Sequence, residues 1–438
     1  MCRQLKLYTI GALFFTLINN IYSQENLYFA RHTWQSSLKN PAFADTNRLL
    51  ISLPMGGFNL YSPDFKIKQL LKTDTEGTLS LNELAKNRIQ NRNRIRASAN
   101  IQSLGFSIRL NSKLTLNLRH SIQASSFIDI DGKTLKVAFN GLDNFVGNTY
   151  DFHNSINGYV YSSMGLGASY KLKKNIQIGG RLKFLNGISS LFTQNGDARV
   201  TFENYNYRMS FENNINASAY SLNALNELKT LRGVINKSFT GRNRGVAFDF
   251  GASFQFEKLQ LSFSAVDAFG KIYWKYGGSH YSSVGQYEYG GVNANQLFVT
   301  GPSESKLSFT DSLKKSVGLN ETPNIHYKQK LSPQIYLSGS YDITNKLQIG
   351  GLLNFTNELN QPGQSTLIFN AAYKICPKIT VGTTAGFSNI QPLQFGTHLN
   401  LKFGAFQLIA ATDNIISVFQ TYNSHYSNAH LGINIGIK

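Results

Sequence analysis

Apolar residues recur two apart along much of this chain, and they do so in segments that match one another. Residues 175–186 (NIQIGGRLKFLN), 346–357 (KLQIGGLLNFTN) and 378–389 (KITVGTTAGFSN) align without gaps. Each places apolar residues at alternate positions, then Gly, then Phe, then Asn. Period 2 is the signature of a β-strand with two unlike faces. A shorter strand precedes each one: Ala168–Leu172, Gly339–Ile343 and Ala371–Ile375. Only a few residues separate the partners, so each pair is expected to form a tight hairpin. Three looser copies follow the same plan, at 104–110 with 113–118, 250–256 with 258–263, and 395–403 with 405–408. Six hairpins give twelve strands. Residues 48–53 add a first, and the clean alternation of Leu431, Ile433, Ile435 and Ile437 adds a last.

Fourteen strands is an even number, as a bacterial outer-membrane barrel requires. One face carries Leu114, Leu116 and Leu118, or Phe248, Phe250, Phe254 and Phe256; the other carries Thr115, Asn117 and Arg119, or Asp249, Gly251, Ser253 and Gln255. Lipid offers no hydrogen bonds to a sheet edge, so only a closed sheet can cross it by strands. Apolar residues outside and polar residues inside then follow. The expected fold is all-β: a transmembrane antiparallel β-barrel of about 14 strands with long loops on one side. Phe106, Tyr170, Phe254, Tyr341 and Tyr373 would form an aromatic girdle near the short turns. A soluble sandwich or solenoid is the competing reading.

Composition decides the compartment. Arg3 and Lys6 precede an uncharged, mostly apolar run from Leu7 to Ile18, with Ser23 suited to cleavage. This is the build of a signal peptide, too short for a spanning helix. Residues 1–23 are therefore expected to be removed, which directs the chain to the outer membrane. Cys2 lies before the apolar run, unlike a lipidated cysteine, and Cys376 is the one thiol left. Taking Arg3 and Lys6 from 43 basic residues leaves 41 against 24 acidic ones, a net of +17. An exported chain seldom meets nucleic acid, so no nucleic-acid partner is expected. Outer-membrane lipid and the phosphates of lipopolysaccharide are the anionic neighbours that fit.

The long connections fall at about 61–94, 129–157, 190–243 and 276–331. Ser80-Leu-Asn-Glu83 has capping-box spacing and predicts a short helix through Leu84. Leu222, Leu225, Leu228 and Leu231 predict an amphipathic helix that either caps the mouth or packs its own loop. Lys86 to Arg96 and Lys229 to Arg244 are basic stretches, read either as contacts to lipopolysaccharide or as a solvated surface.

Between the leader and the first strand lies Asn40-Pro-Ala-Phe43, followed by Ile51-Ser-Leu-Pro54. An Asn-Pro-Ala element just before the first strand of such a barrel resembles the FadL-type long-chain fatty-acid transporter superfamily. The combination resembles more closely an uncharacterised barrel family of Bacteroidota, and Asp413-Asn414 before the last strand adds to the likeness. Lys438 after Ile437 departs from the aromatic ending of many such barrels. The resemblance implies that residues 24–47 are a hatch plugging the lumen of a barrel spanning 48–438, with Asn40, Pro41, Ala42 and Phe43 as its motif. It also implies passive transport of small or hydrophobic molecules. The alternative it leaves open is a structural or partner-binding barrel serving type IX-like secretion or surface assembly, with secretion-system or periplasmic proteins as partners.

Catalytic chemistry is not expected. The eight histidines lack metal-ligand spacing, and neither a nucleophile elbow nor a phosphate-binding Gly-rich loop occurs. No cofactor is implied. The pairs Gly179-Gly180 and Gly350-Gly351 lie inside strands, where they would relieve crowding or permit curvature. Alternation places Arg109, Lys113, Arg119, Lys171, Arg181, Lys183 and Lys402 on the inward face, with Asp249 the clearest inward acid. Such a lumen would favour anions or an acidic head group; alternatively, these residues pair with Asp45, Glu25 or loop carboxylates and hold the plug.

Overall fold

The computed structural model describes residues 25–45, 47–66, 72–73, 79–80, 89–140, 145–203, 209–220, 231–289, 318–356, 364–388, 393–419 and 424–437. Its fourteen barrel strands are β1 (Leu49–Ser52, resumed as Met55–Tyr61), β2 (Arg92–Arg109), β3 (Leu114–Asp131), β4 (Ser155–Lys173), β5 (Ile176–Phe202), β6 (Asn243–Phe256), β7 (Leu259–Trp274), β8 (Gln334–Asp342), β9 (Leu347–Thr356), β10 (Gln364–Cys376), β11 (Ile379–Ser388), β12 (Gln394–Phe403), β13 (Phe406–Thr412) and β14 (Tyr426–Ile437). Every neighbouring pair is antiparallel. Closure comes where β1 joins β14, Ile51 opposite Ile435, and β2, Ile51 opposite Phe106. Leu53-Pro54 interrupts β1, as expected of a proline that cannot donate to the ladder.

The faces divide as the alternation predicts. Leu116, Leu166, Phe184, Phe248, Phe250, Leu261, Leu337, Phe369 and Leu431 are exposed on the outer wall. Their strand neighbours Thr115, Arg181, Asp249, Ser338 and Asn370 are buried inside. Tyr170, Tyr341 and Tyr373 are exposed near the short turns, as a girdle requires. Above the wall, β5 continues upward and pairs with residues 149–153 and 209–220. Residues 209–220 pair in turn with 278–289, so a sheet stands on the long-loop side.

The two expected helices fall on residues 81–88 and 221–230, which lie outside the described residues. Ser80 itself pairs with Lys72 in a short ladder. A separate helix at Leu231–Thr240 packs against the outer wall of β3–β5. His120, Ser162 and Asn186 face outward there. Asn186 donates to the carbonyls of Lys237 at 2.9 Å and Ser238 at 3.0 Å, and Phe239 stacks on His120. Outward polar groups on a lipid-facing wall need partners, and the last turn of the helix supplies them: the Ser238 carbonyl accepts from both Asn186 and the Ser162 hydroxyl.

Candidate functional site: the lumen and its hatch

Residues 25–45 fold inside the barrel. Two short helices, α1 (Asn26–Phe29) and α2 (Trp34–Lys39), are joined by a turn, and Thr33 caps α2 by accepting from the Ser36 N–H at 3.2 Å. After α2 the chain reverses at Asn40. Its Oδ1 accepts from the Ala42 N–H at 2.9 Å, and Pro41 presets the backbone of the turn. The Asn40 amide then reaches the Tyr28 hydroxyl at 3.1 Å and the Phe263 carbonyl at 3.2 Å. Asn40 thus ties both ends of this segment to the wall. Phe43 packs edge-on against Tyr28.

Polar groups hold the segment all round the barrel. Asn26 donates to the Asp413 carboxylate at 2.9 Å and to the Thr412 carbonyl at 2.6 Å. The Trp34 indole donates to Gln102 at 2.8 Å. Gln35 and Asn434 exchange amide bonds, Glu25 accepts from Asn354, and Lys39 donates to Tyr336. Glycines in the wall make room. A Cβ on Gly179 would lie 2.2 Å from the Pro41 carbonyl carbon, one on Gly251 2.0 Å from Asn40 Oδ1, and one on Gly105 2.6 Å from the Trp34 ring. Gly396 is likewise covered by Asn26, and Gly432 by Gln35. In both Gly-Gly pairs the first glycine meets the segment, Gly350 meeting Phe29, while Gly180 and Gly351 point outward into ordinary contacts.

Beside this segment sits a buried ionic cluster. Asp249 accepts from Arg181 at 2.9 Å and from Lys183 at 2.7 Å, and Lys183 also reaches Asp267 at 2.8 Å. Arg181 donates to the Ser37 carbonyl as well, linking cluster to hatch. Asp267 is the member that alternation does not reveal. The β6–β7 register slips between Val246 and Phe250, and Asp267 and Phe269 take positive φ near 56°. Non-glycine residues adopt that conformation at a cost. The double bulge turns Asp267 inward, where its N–H donates to Asp249 at 2.9 Å. The faltering alternation Ser264-Ala-Val-Asp-Ala-Phe269 is the sequence signal that marks it.

The seven inward basic residues separate into three groups. Arg119, Arg181 and Lys183 are buried in the lumen at mid-height. Arg109 donates to the Asp45 carbonyl at the hatch's exit, and Lys402 lines a cavity on the short-turn side. Lys113 and Lys171 are exposed at the rim, where their turn leaves the wall. The partners of the buried pair Arg181 and Lys183 are strand carboxylates, not Asp45 or Glu25.

Two cavities lie on opposite faces of the hatch. The long-loop chamber, of about 160 Å³, is lined by Leu27, Leu38, Lys39, Arg96, Arg119, Gln123, Tyr159, Lys183, Asp267 and Glu25 among others. The short-turn vestibule, of about 550 Å³, carries Arg31, Lys258, Lys346, Lys374, Lys378 and Lys402 against Glu257 and Asp342. Among the described residues, no group of three or more His, Cys, Asp or Glu could hold a metal ion.

The model of a family described as "Family of unknown function (DUF5723)" matches residues 41–413. No curated protein matches the chain. Solved structures similar to it include a Pseudomonas aeruginosa FadL homologue, at 10% identity and TM-score 0.48, covering 96% of this chain and 97% of that one. The Pseudomonas putida toluene transporter TodX is similar at 7% identity and TM-score 0.37, covering 91% and 92%. The KdgM porin is similar at 9% identity and TM-score 0.26, covering 66% of this chain and 100% of that one.

Proposed function

We propose that this chain, which belongs to the family of unknown function DUF5723, is an outer-membrane barrel that passes small solutes passively when its hatch shifts. The short turns would face the periplasm and the long loops the outside. One observation carries the reading: a cavity lies on each face of the hatch, and many of its ties to the wall are hydrogen bonds between polar groups. Water can replace such bonds as the hatch moves, so each contributes only about 0.5–1.5 kcal/mol net. Leu27, Phe29 and Trp34 also pack on apolar wall residues, and the loss of that burial keeps openings brief. The polar and basic lining on both faces supports small hydrophilic solutes, with anions favoured by focusing of the field in a low-dielectric tube. Leu27, Leu38, Met55, Val266 and Leu331 offer an apolar strip in the chamber for the hydrophobic part of a solute.

The second reading, a permanently closed barrel that serves secretion or surface assembly, is favoured by the number of the hatch's bonds. Planar-bilayer recording separates the two. A folded variant lacking residues 24–47 should conduct continuously and prefer anions, and the intact chain should show brief openings. A folded but silent deletion variant would sink the transport reading.

A further inference from the structure

We propose that Arg119 anchors an oxyanion-binding site on the long-loop face of the hatch, taking the carboxylate or phosphate of a small solute or of a lipid head group. This deepens the transport reading, since it places the site in the chamber a solute would cross.

Arg119 is 4% exposed, and its side chain lines the chamber. No described residue accepts a hydrogen bond from its Nε. It also takes no part in the ion pairs that neutralise Arg181 and Lys183. Its cross-strand neighbours are Gly105 and Gly165, which have no side chains to answer it. Asp249 and Asp267 act on Arg119 through space, but no described carboxylate bonds to it, and such a buried cation is costly to keep in a fold; its two neighbouring cations are bonded to carboxylates within 3 Å. The charge of the lining leans the same way: Lys39, Arg96, Arg119 and Lys183 against Glu25 and Asp267. The guanidinium is a planar fork of fixed donors that matches a carboxylate or phosphate with two parallel bonds. Gln123, Asn100 and Ser125 on the same lining give the rest of such a ligand polar surroundings.

The test uses the full chain, folded in mild detergent at constant ionic strength. Calorimetric titration with succinate and with inorganic phosphate should give saturable binding of at least one. Arg119→Gln should weaken it on the order of 10–100-fold, the range of a lost charged hydrogen-bond pair. Lys173→Gln, at an exposed short turn outside both cavities, should leave it unchanged. Mass spectrometry of the chain extracted from native membranes distinguishes the sources. A phosphorylated lipid retained by the unaltered chain and lost from Arg119→Gln assigns the site to a head group. Binding of added succinate or phosphate without retained lipid assigns it to a free solute. Equal affinity in the unaltered chain and Arg119→Gln, or neither probe bound and no lipid retained, overturns the proposal. If Arg119→Gln does not fold, Arg119→Lys decides: severalfold weaker binding supports the fork, and unchanged affinity overturns it. No binding by the unaltered chain, with conductance kept in the hatchless barrel, sinks the site alone, whereas binding by the unaltered chain with a silent hatchless barrel sinks the transport reading alone.

Discussion

The barrel has two unlike halves. Strands β2–β7 run from 14 to 27 residues, and β8–β13 from 7 to 13. Their outer walls are the same apolar belt. Their inner walls differ. The long half buries Arg119, Arg181, Lys183, Asp249 and Asp267, and its ladders slip in register at Gln102/Leu104, Val160/Tyr161, Lys171/Lys173 and Val246–Phe250. The short half lines its lumen with Ser338, Asn354, Thr366, Asn370, Thr384, His398 and Asn400, and its β8–β13 ladders slip once, at Lys374/Cys376. Small neutral groups find partners on the next strand of a regular ladder, as Gln407 does with Asn400. Charges buried together must be matched across several strands, and the chain is bent to match them. At mid-height, regularity is therefore kept where the lumen is neutral and given up where it is charged.

The largest test of this contrast is removal of a shared carboxylate. Asp249→Asn leaves Arg181 and Lys183 undercompensated in a dry site and should cost about 3–5 kcal/mol. Asn370→Ala in the short half should cost about 1 kcal/mol, one neutral hydrogen bond. Thermal unfolding of both variants, followed by the shift in gel mobility on heating, checks the ranking; similar losses would erase the distinction between the halves.

A smaller effect separates two adjacent residues. Gly179→Ala pushes a methyl into the Pro41 backbone, an overpacking of about 1–3 kcal/mol, and should raise the open time of the intact barrel. Gly180→Ala meets nothing closer than 3.9 Å and should stay within about 0.5 kcal/mol. Gly350→Ala in the short half, with contacts at 3.0–3.1 Å, should fall between them. Equal conductance in all three would mean the glycines are not the hatch's seat.

A pH-dependent effect belongs to Glu25, where the hatch meets the short half. Burial, then the nearby Asp413 charge, push its carboxyl up to about 7, against the opposing pull of Asn354 and Lys39. A raised carboxyl favours the seated hatch while protonated. That contribution is complete below about 4.5 and is lost as pH rises through about 7. Lys39, pushed down to about 8 chiefly by burial, acts in the opposite sense only above that value. Hydrogen-exchange protection over residues 25–45, corrected for the intrinsic rise of exchange with pH, should therefore fall between pH 5 and 7.5. Glu25→Gln should flatten the step, and an unchanged profile in that variant would assign it elsewhere.

Strand number, hairpin pairing and the two faces were all legible in the alternation, because lipid outside and water inside force opposite chemistries on neighbouring residues. Asp249 was legible for the same reason. Asp267 was not, since it depends on a bulge that breaks the period. The Leu231–Thr240 helix was not either: the leucine spacing runs from Leu222 to Leu231 and stops where this helix begins. The glycines of the wall were visible as interruptions, but their meaning needed the hatch in place, because a missing side chain records a neighbour brought there by a distant part of the chain.

The hatch ends at Asp45, only a few residues before β1 begins at Leu49 on the barrel's closing seam. That short leash sets how the barrel can behave once open. A displaced hatch is still tied to its own entrance, so re-entry is an intramolecular event at an effective concentration on the order of millimolar. Added copies of the same peptide would have to compete with that tether, and each opening would be timed by a leash held at the short-turn end of the first strand.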